Sequence, residues 1–196
     1  GTSNFRAGVN AGNSIQSGGN FNTVLGDEAG TAITTGDDNV AVGYAAGDAM
    51  TTGSYNAIVG KNSGGAITTG IENVSVGWNS LDALTEGGQN VALGASALGS
   101  DTLGSRSVAV GYQALTTQNF TTATDAHNTA VGYKAGEAVT TGANNTIIGA
   151  NTGIALTSGS NNNLIGGLAG DALTTGHSNN IMGVSCGTAL TDADYN

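Results

Sequence analysis

Four aromatic residues carry the most specific chemistry in this chain. Tyr44, Trp78, Tyr112 and Tyr133 each follow a glycine that recurs at fixed spacing, so they belong to one file. Such rings offer a flat apolar face and a polar tip. On a neutral surface rich in Asn and Thr, that combination suits stacking against glycans. Phe120, in the stretch T-Q-N-F-T-T-A-T-D-A over 117–126, is a fifth candidate contact. A second pattern is Ala-x-Thr, which sets Thr34, Thr51, Thr68, Thr85, Thr102, Thr140, Thr157, Thr174 and Thr191 into a stripe, with Ser100/Thr102 as a variant pair. A flat file of small methyl-bearing residues suits either ordering of water into an ice-like lattice or close packing between chains.

The other reactive residues form no constellation. His127 and His177 lie in equivalent places near a repeated asparagine, without Cys or clustered carboxylates beside them, and are expected to be exposed turn residues. Gly60-Lys61 is followed by Asn62 rather than Ser or Thr, so it is no phosphate loop. Asp48, Asp82, Glu137 and Asp171 share one column that neighbouring copies interrupt, and they do not match the calcium-binding repeat. They are expected to be a solvated edge that blocks sideways aggregation. No enzymatic activity, cofactor or metal is expected.

What positions these residues is a 17-residue repeat, of which Gly36 to Thr52 (G-D-D-N-V-A-V-G-Y-A-A-G-D-A-M-T-T) is one copy. The closing glycine recurs at 26, 43, 60, 77, 94 and 111, then after a four-residue insertion at 132, 149, 166 and 183. An asparagine four places earlier keeps step, with Ser107 standing in once. A period this short means a stacked array in which each copy buries its apolar side against its neighbours. The chain thus reads as one repeat domain, 1–196, with repeats over about 19–191, an insertion at 117–126 and a worn first copy over 1–18.

Each copy holds two strand-like stretches. In Asn-x-x-apolar-Gly the fourth place is never polar (Leu25, Val42, Val59, Val76 and onwards) and is the expected core column. In Ala-apolar-Thr the middle residue (Ile33, Met50, Ile67, Leu84) is expected to point inward and its flankers outward. Stacking at strand spacing gives an all-β parallel β-roll, or β-solenoid, of about eleven coils and roughly 50 Å length. The asparagines are expected to hydrogen-bond from coil to coil. Cys186 occupies a column otherwise filled by Ala, Ser or Thr and is expected to be small and buried. The third strand place is apolar too, so both strand faces ask for cover, and a cyclic homo-oligomer supplies it.

Composition removes several function classes. Glycine numbers 34, proline is absent, and charged residues make up 9% where about 25% is usual. With a net charge of −10 and only Arg6, Lys61, Arg106 and Lys134 positive, there is no basic footprint for nucleic acid. No apolar run approaches the roughly 20 residues of a spanning helix, so membrane insertion is not expected.

N-V-A-V-G at 39–43, S-V-A-V-G at 107–111 and N-T-A-V-G at 128–132 resemble the S-V-A-I-G signature of trimeric autotransporter adhesin heads of the YadA type. N-T-A-V-G-Y-K-A-G-E-A-V-T-T-G at 128–142 is similar to repeats of bacteriophage tail fibres. The resemblance implies a left-handed parallel β-roll assembled as a homotrimer, extracellular, on a cell surface or on a virion, binding a surface glycan or protein receptor. The period here is longer than that of adhesin heads. Two other functions fit the same sequence: an ice-binding solenoid using the Ala-x-Thr stripe, and a self-assembling filament or coat subunit.

Overall fold

The computed structural model describes residues 2–196. The chain is all-β, a parallel β-solenoid of about ten turns. Its strands are β1 (Phe5–Ala7), β2 (Thr23–Leu25), β3 (Val40–Val42), β4 (Ala57–Val59), β5 (Val74–Val76), β6 (Val91–Leu93), β7 (Gly104–Ser105), β8 (Val108–Val110), β9 (Thr124–Asp125), β10 (Thr129–Val131), β11 (Thr146–Ile148), β12 (Asn163–Ile165) and β13 (Asn180–Met182). Eleven of them form one parallel sheet in the order β1-β2-β3-β4-β5-β6-β8-β10-β11-β12-β13, while β7 and β9 pair separately. Register follows the repeat: Val40, Ala41 and Val42 face Ala57, Ile58 and Val59.

The sheet inverts one expectation. The core column is the third strand place, not the fourth. Val24, Ala41, Ile58 and Ile147 are fully buried, whereas Leu25, Val59, Val76 and Ile148 are 37–45% exposed. Strand alternation explains this. The ladder asparagine is itself buried, so the residue two places on shares its inward phase, and the fourth place points out. The second stretch also differs. Its middle residues Ile33, Met50 and Ile67 are buried as expected, but the chain bends there instead of forming a strand. Only short runs of bonds link these bends, such as Thr51 N–H to the Thr68 carbonyl at 2.8 Å.

Tight corners make so short a coil possible. The repeat glycine after each strand takes φ near 130°, as at Gly43 (132°), and a Cβ there would lie 2.6 Å from the Gly60 carbonyl oxygen. Only glycine fits both constraints.

Core volume is conserved by exchange between two places of one coil. Where the strand centre is large, the residue four after the corner glycine is Gly: Val24 with Gly30, Ile58 with Gly64, Ile147 with Gly153, Leu164 with Gly170. At three small centres that place holds a fully buried leucine: Ser75 with Leu81, Ala92 with Leu98, Ala109 with Leu115. Those leucines sit at φ 47°, 49° and 50°, a left-handed conformation costing about 1–2 kcal/mol. The core accepts that strain because an unfilled cavity costs more. Two small centres keep glycine there: Ala41 with Gly47 is completed by the long side chain of Met50, and Ala130 with Gly136 by Ile147 and Leu115 reaching in from the adjoining coils.

Along the inner edge of the sheet the asparagines form a continuous ladder. Asn39 donates from its backbone N–H and from Nδ2 to Asn22 Oδ1, both at 3.0 Å, and from Nδ2 to the Gly53 carbonyl at 2.9 Å. Asn56, Asn73, Asn145, Asn162 and Asn179 repeat the pattern. Ser107 is too short to continue it. Gln118 bridges the gap, accepting from Asn128 Nδ2 at 2.8 Å and donating to Ser107 Oγ at 3.1 Å.

Candidate functional site

The aromatic file survives folding as an exposed edge. Tyr44, Trp78, Tyr112 and Tyr133 are 54%, 54%, 46% and 51% exposed, each just past the glycine corner that ends its strand. Tyr112 and Tyr133 lie on adjacent coils because β8 pairs with β10, and their rings stack at 5.5 Å with planes 13° apart. Lys134 Nζ stands 5.9 Å from the Tyr133 ring and 2.9 Å from Glu137, while Lys61 Nζ stands 5.8 Å from the Tyr44 ring. The hydrogen bond to Glu137 is the first reason that the Lys134 ammonium holds its proton above the ordinary range. Between Trp78 and Tyr112 the file holds only Ala95, which leaves a gap of two strand spacings, about 10 Å.

Phe120 does not belong to this edge. It is 6% exposed. Asp101 and Gln118 occupy the inner column that Ile33, Met50 and Ile67 fill elsewhere, and both are buried. Asp101 Oδ1 accepts from the Gly104 N–H at 3.0 Å and the Phe120 N–H at 3.1 Å, which draws the start of the insertion inward and takes the phenyl ring with it. Burial pushes the Asp101 carboxyl above its ordinary value of 3.8. The rest of the insertion runs outward and returns as β9 against β7.

The Ala-x-Thr stripe lies where the pattern places it, but its hydroxyls are committed. Thr34, Thr51, Thr68, Thr85, Thr140, Thr157 and Thr174 each donate to the threonine carbonyl of the next coil, at 2.7–3.2 Å. Thr102 donates to Asn119 Oδ1 and the Phe120 carbonyl, and Thr191 to Asp192. What this stripe shows to solvent is chiefly methyl groups.

The second strand face that asked for cover is the one carrying the fourth place. The outward face of the sheet is a flat double row of apolar side chains, Val40/Val42, Ala57/Val59, Val74/Val76, Val91/Leu93 and Val108/Val110 through its middle. Its signal was the invariant apolar fourth place, read with the opposite phase.

The remaining candidates separate. His127 directly precedes a ladder asparagine and is exposed, whereas His177 lies one column earlier, its Nδ1 accepting from the Ser160 N–H at 3.0 Å. The two are not equivalent. Asp48 and Asp82 are half-buried rather than fully solvated and approach each other across Gly65, whose absent Cβ would lie 3.7 Å from Asp48 Oδ1 and 3.0 Å from Asp82 Oδ1. Burial raises both carboxyl pKa values, and for Asp82 the charge of Asp48 adds to it. Cys186 is exposed, because its coil is the last of the described stack and nothing covers a column that buries Ala169 one coil earlier. No known protein family, characterised protein or solved structure matches the chain.

Proposed function

We propose that this chain is a fibre segment, of phage tail fibre or bacterial adhesin type, that self-associates as a trimer and displays a glycan-binding edge at a cell surface. The observation that carries this reading is the outward sheet face. Its double row is apolar across the five adjacent coils from β3 to β8, and the fourth place stays apolar beyond them (Leu25, Val131, Ile148, Ile165, Met182), where Thr23, Thr129, Thr146, Asn163 and Asn180 hold the second place. An exposed apolar patch rimmed by polar side chains is the kind of surface that an interface covers. Packing the rolls side by side through that face removes it from water and supplies the second burial surface that so thin a coil needs.

The ligand is assigned to the aromatic file, which borders the same face and stays half-exposed. Stacked Tyr112 and Tyr133 form a preset platform, and the gap over Ala95 admits a ring between Trp78 and Tyr112. Committed threonine hydroxyls favour this reading over an ice-binding one, because they leave few free hydroxyls to match a lattice. Glycan-array binding of the native chain and of Trp78→Ala tests the assignment. Loss of selected glycans in the variant supports it, and equal binding by both overturns it.

A further inference from the structure

A separate cavity lies on the other side of the strands, in the columns that precede the ladder asparagines. Gly88 stands where its neighbours along the stack carry Ile71 and Ser105, so the column has a missing side chain. The resulting depression has a volume of about 320 Å³, at the lower end of the 300–1,000 Å³ of small-molecule sites. Ile71, 46% exposed, gives it an apolar surface.

Its polar wall is already oriented. Gln89 Nε2 donates to Glu72 at 2.8 Å, Arg106 Nε donates to Gln89 Oε1 at 2.9 Å, and Arg106 Nη1 donates to Asp125 Oδ2 at 2.6 Å. These bonds fix the side chains without exhausting them. Gln89 keeps an amide N–H, Arg106 keeps its Nη2 donors, and Asp125 keeps Oδ1. Glu86 adds a carboxylate to the lining. Asp125 comes from β9, so the cavity is completed by the insertion and has no counterpart along the rest of the stack.

Donors and acceptors thus alternate around an apolar patch. Hydroxyl groups, which both donate and accept, match that arrangement. With Glu86 and Asp125 against one arginine, the local charge is negative, which disfavours phosphate and acidic sugars. We propose that the insertion builds a second binding site, distinct from the aromatic edge, for a single neutral, polyhydroxylated sugar ring.

The test is NMR of the labelled native chain titrated with methyl glucoside, methyl galactoside, methyl mannoside and N-acetylglucosamine into the millimolar range. A saturable shift of the Gln89 amide and Arg106 Nε–H signals is expected for at least one sugar. It should weaken tenfold or more in Ile71→Ser and in Arg106→Ser, two changes that install residues the same columns hold at Ser54 and Ser178. No saturable shift with any of the four sugars overturns the site, and so does an undiminished shift in both variants. The Trp78 indole N–H reports the aromatic edge separately. A response there with silent Gln89 and Arg106 signals sinks the second site and leaves the edge standing.

Discussion

Leu98 offers a quantitative check on how this core is built. Its side chain is fully buried at φ 49° and fills the space that Ala92 leaves in the same coil. In the Ile58 coil the two demands exclude each other: a Cβ on Gly64 would lie 2.7 Å from Ile58 Cδ1. Replacing Leu98 by Gly removes a buried leucine, at a cost of about 3–5 kcal/mol. It also relieves a left-handed leucine, worth about 1–2 kcal/mol, leaving a net loss of about 1–4 kcal/mol. Ala92→Ile alone overpacks the coil and costs about 1–3 kcal/mol. The double variant recreates the Ile58/Gly64 arrangement and should return to within about 1 kcal/mol of the native chain. Urea denaturation of all four species closes the cycle, and a favourable coupling of about 2 kcal/mol or more is expected. Additive losses would refute the exchange of volume between the two places.

Other consequences are direct. Asn56→Ala strands the Gly70 carbonyl and the Asn73 backbone N–H in the buried ladder, each costing about 1–3 kcal/mol; a denaturation midpoint close to native would refute the ladder's importance. Asp48, Asp82 and Asp101 all have raised carboxyl pKa values, so between 3.8 and those values the folded chain binds more protons than the unfolded one. Their ionisation therefore lowers stability as pH rises through that window. Asp101→Asn should flatten part of this slope in thermal melts across the acid range, and an unchanged slope would show that Asp101 is not its source. Trp78→Ala should keep the native melting temperature, because the indole is 54% exposed, while losing glycan binding; a large drop in melting temperature would mean that the ring is structural.

Much of the architecture was legible because the repeat is strict. Glycine and asparagine columns at one period forced stacked coils, and the ladder from Asn22 to Asn179 is the direct consequence. The strand phase was legible too, but in the asparagine rather than in the apolar columns. Val42 is more uniformly hydrophobic than Ala41 along the stack, and uniformity reads as core when an outer face is apolar as well. How small centres such as Ser75 and Ala92 are filled was not legible, because their partners, Leu81 and Leu98, lie in a column that is otherwise glycine. Phe120 and Gln118 were hidden by the insertion, where the period no longer says which way a side chain points. The aromatic edge was readable from spacing alone, since the residue after each corner glycine always points to solvent. The Gly88 depression was not, because it depends on β9 closing against β7.

Light scattering of the purified chain at micromolar concentration tests the central claim most directly, with Val76→Glu/Leu93→Glu as the companion. Both substitutions lie on the outward sheet face, where the native side chains are 38% and 36% exposed, so the coil itself should tolerate them. A native mass near three times 19.0 kDa and a folded variant at the mass of one chain are expected. A native chain that is folded and monomeric would contradict that claim.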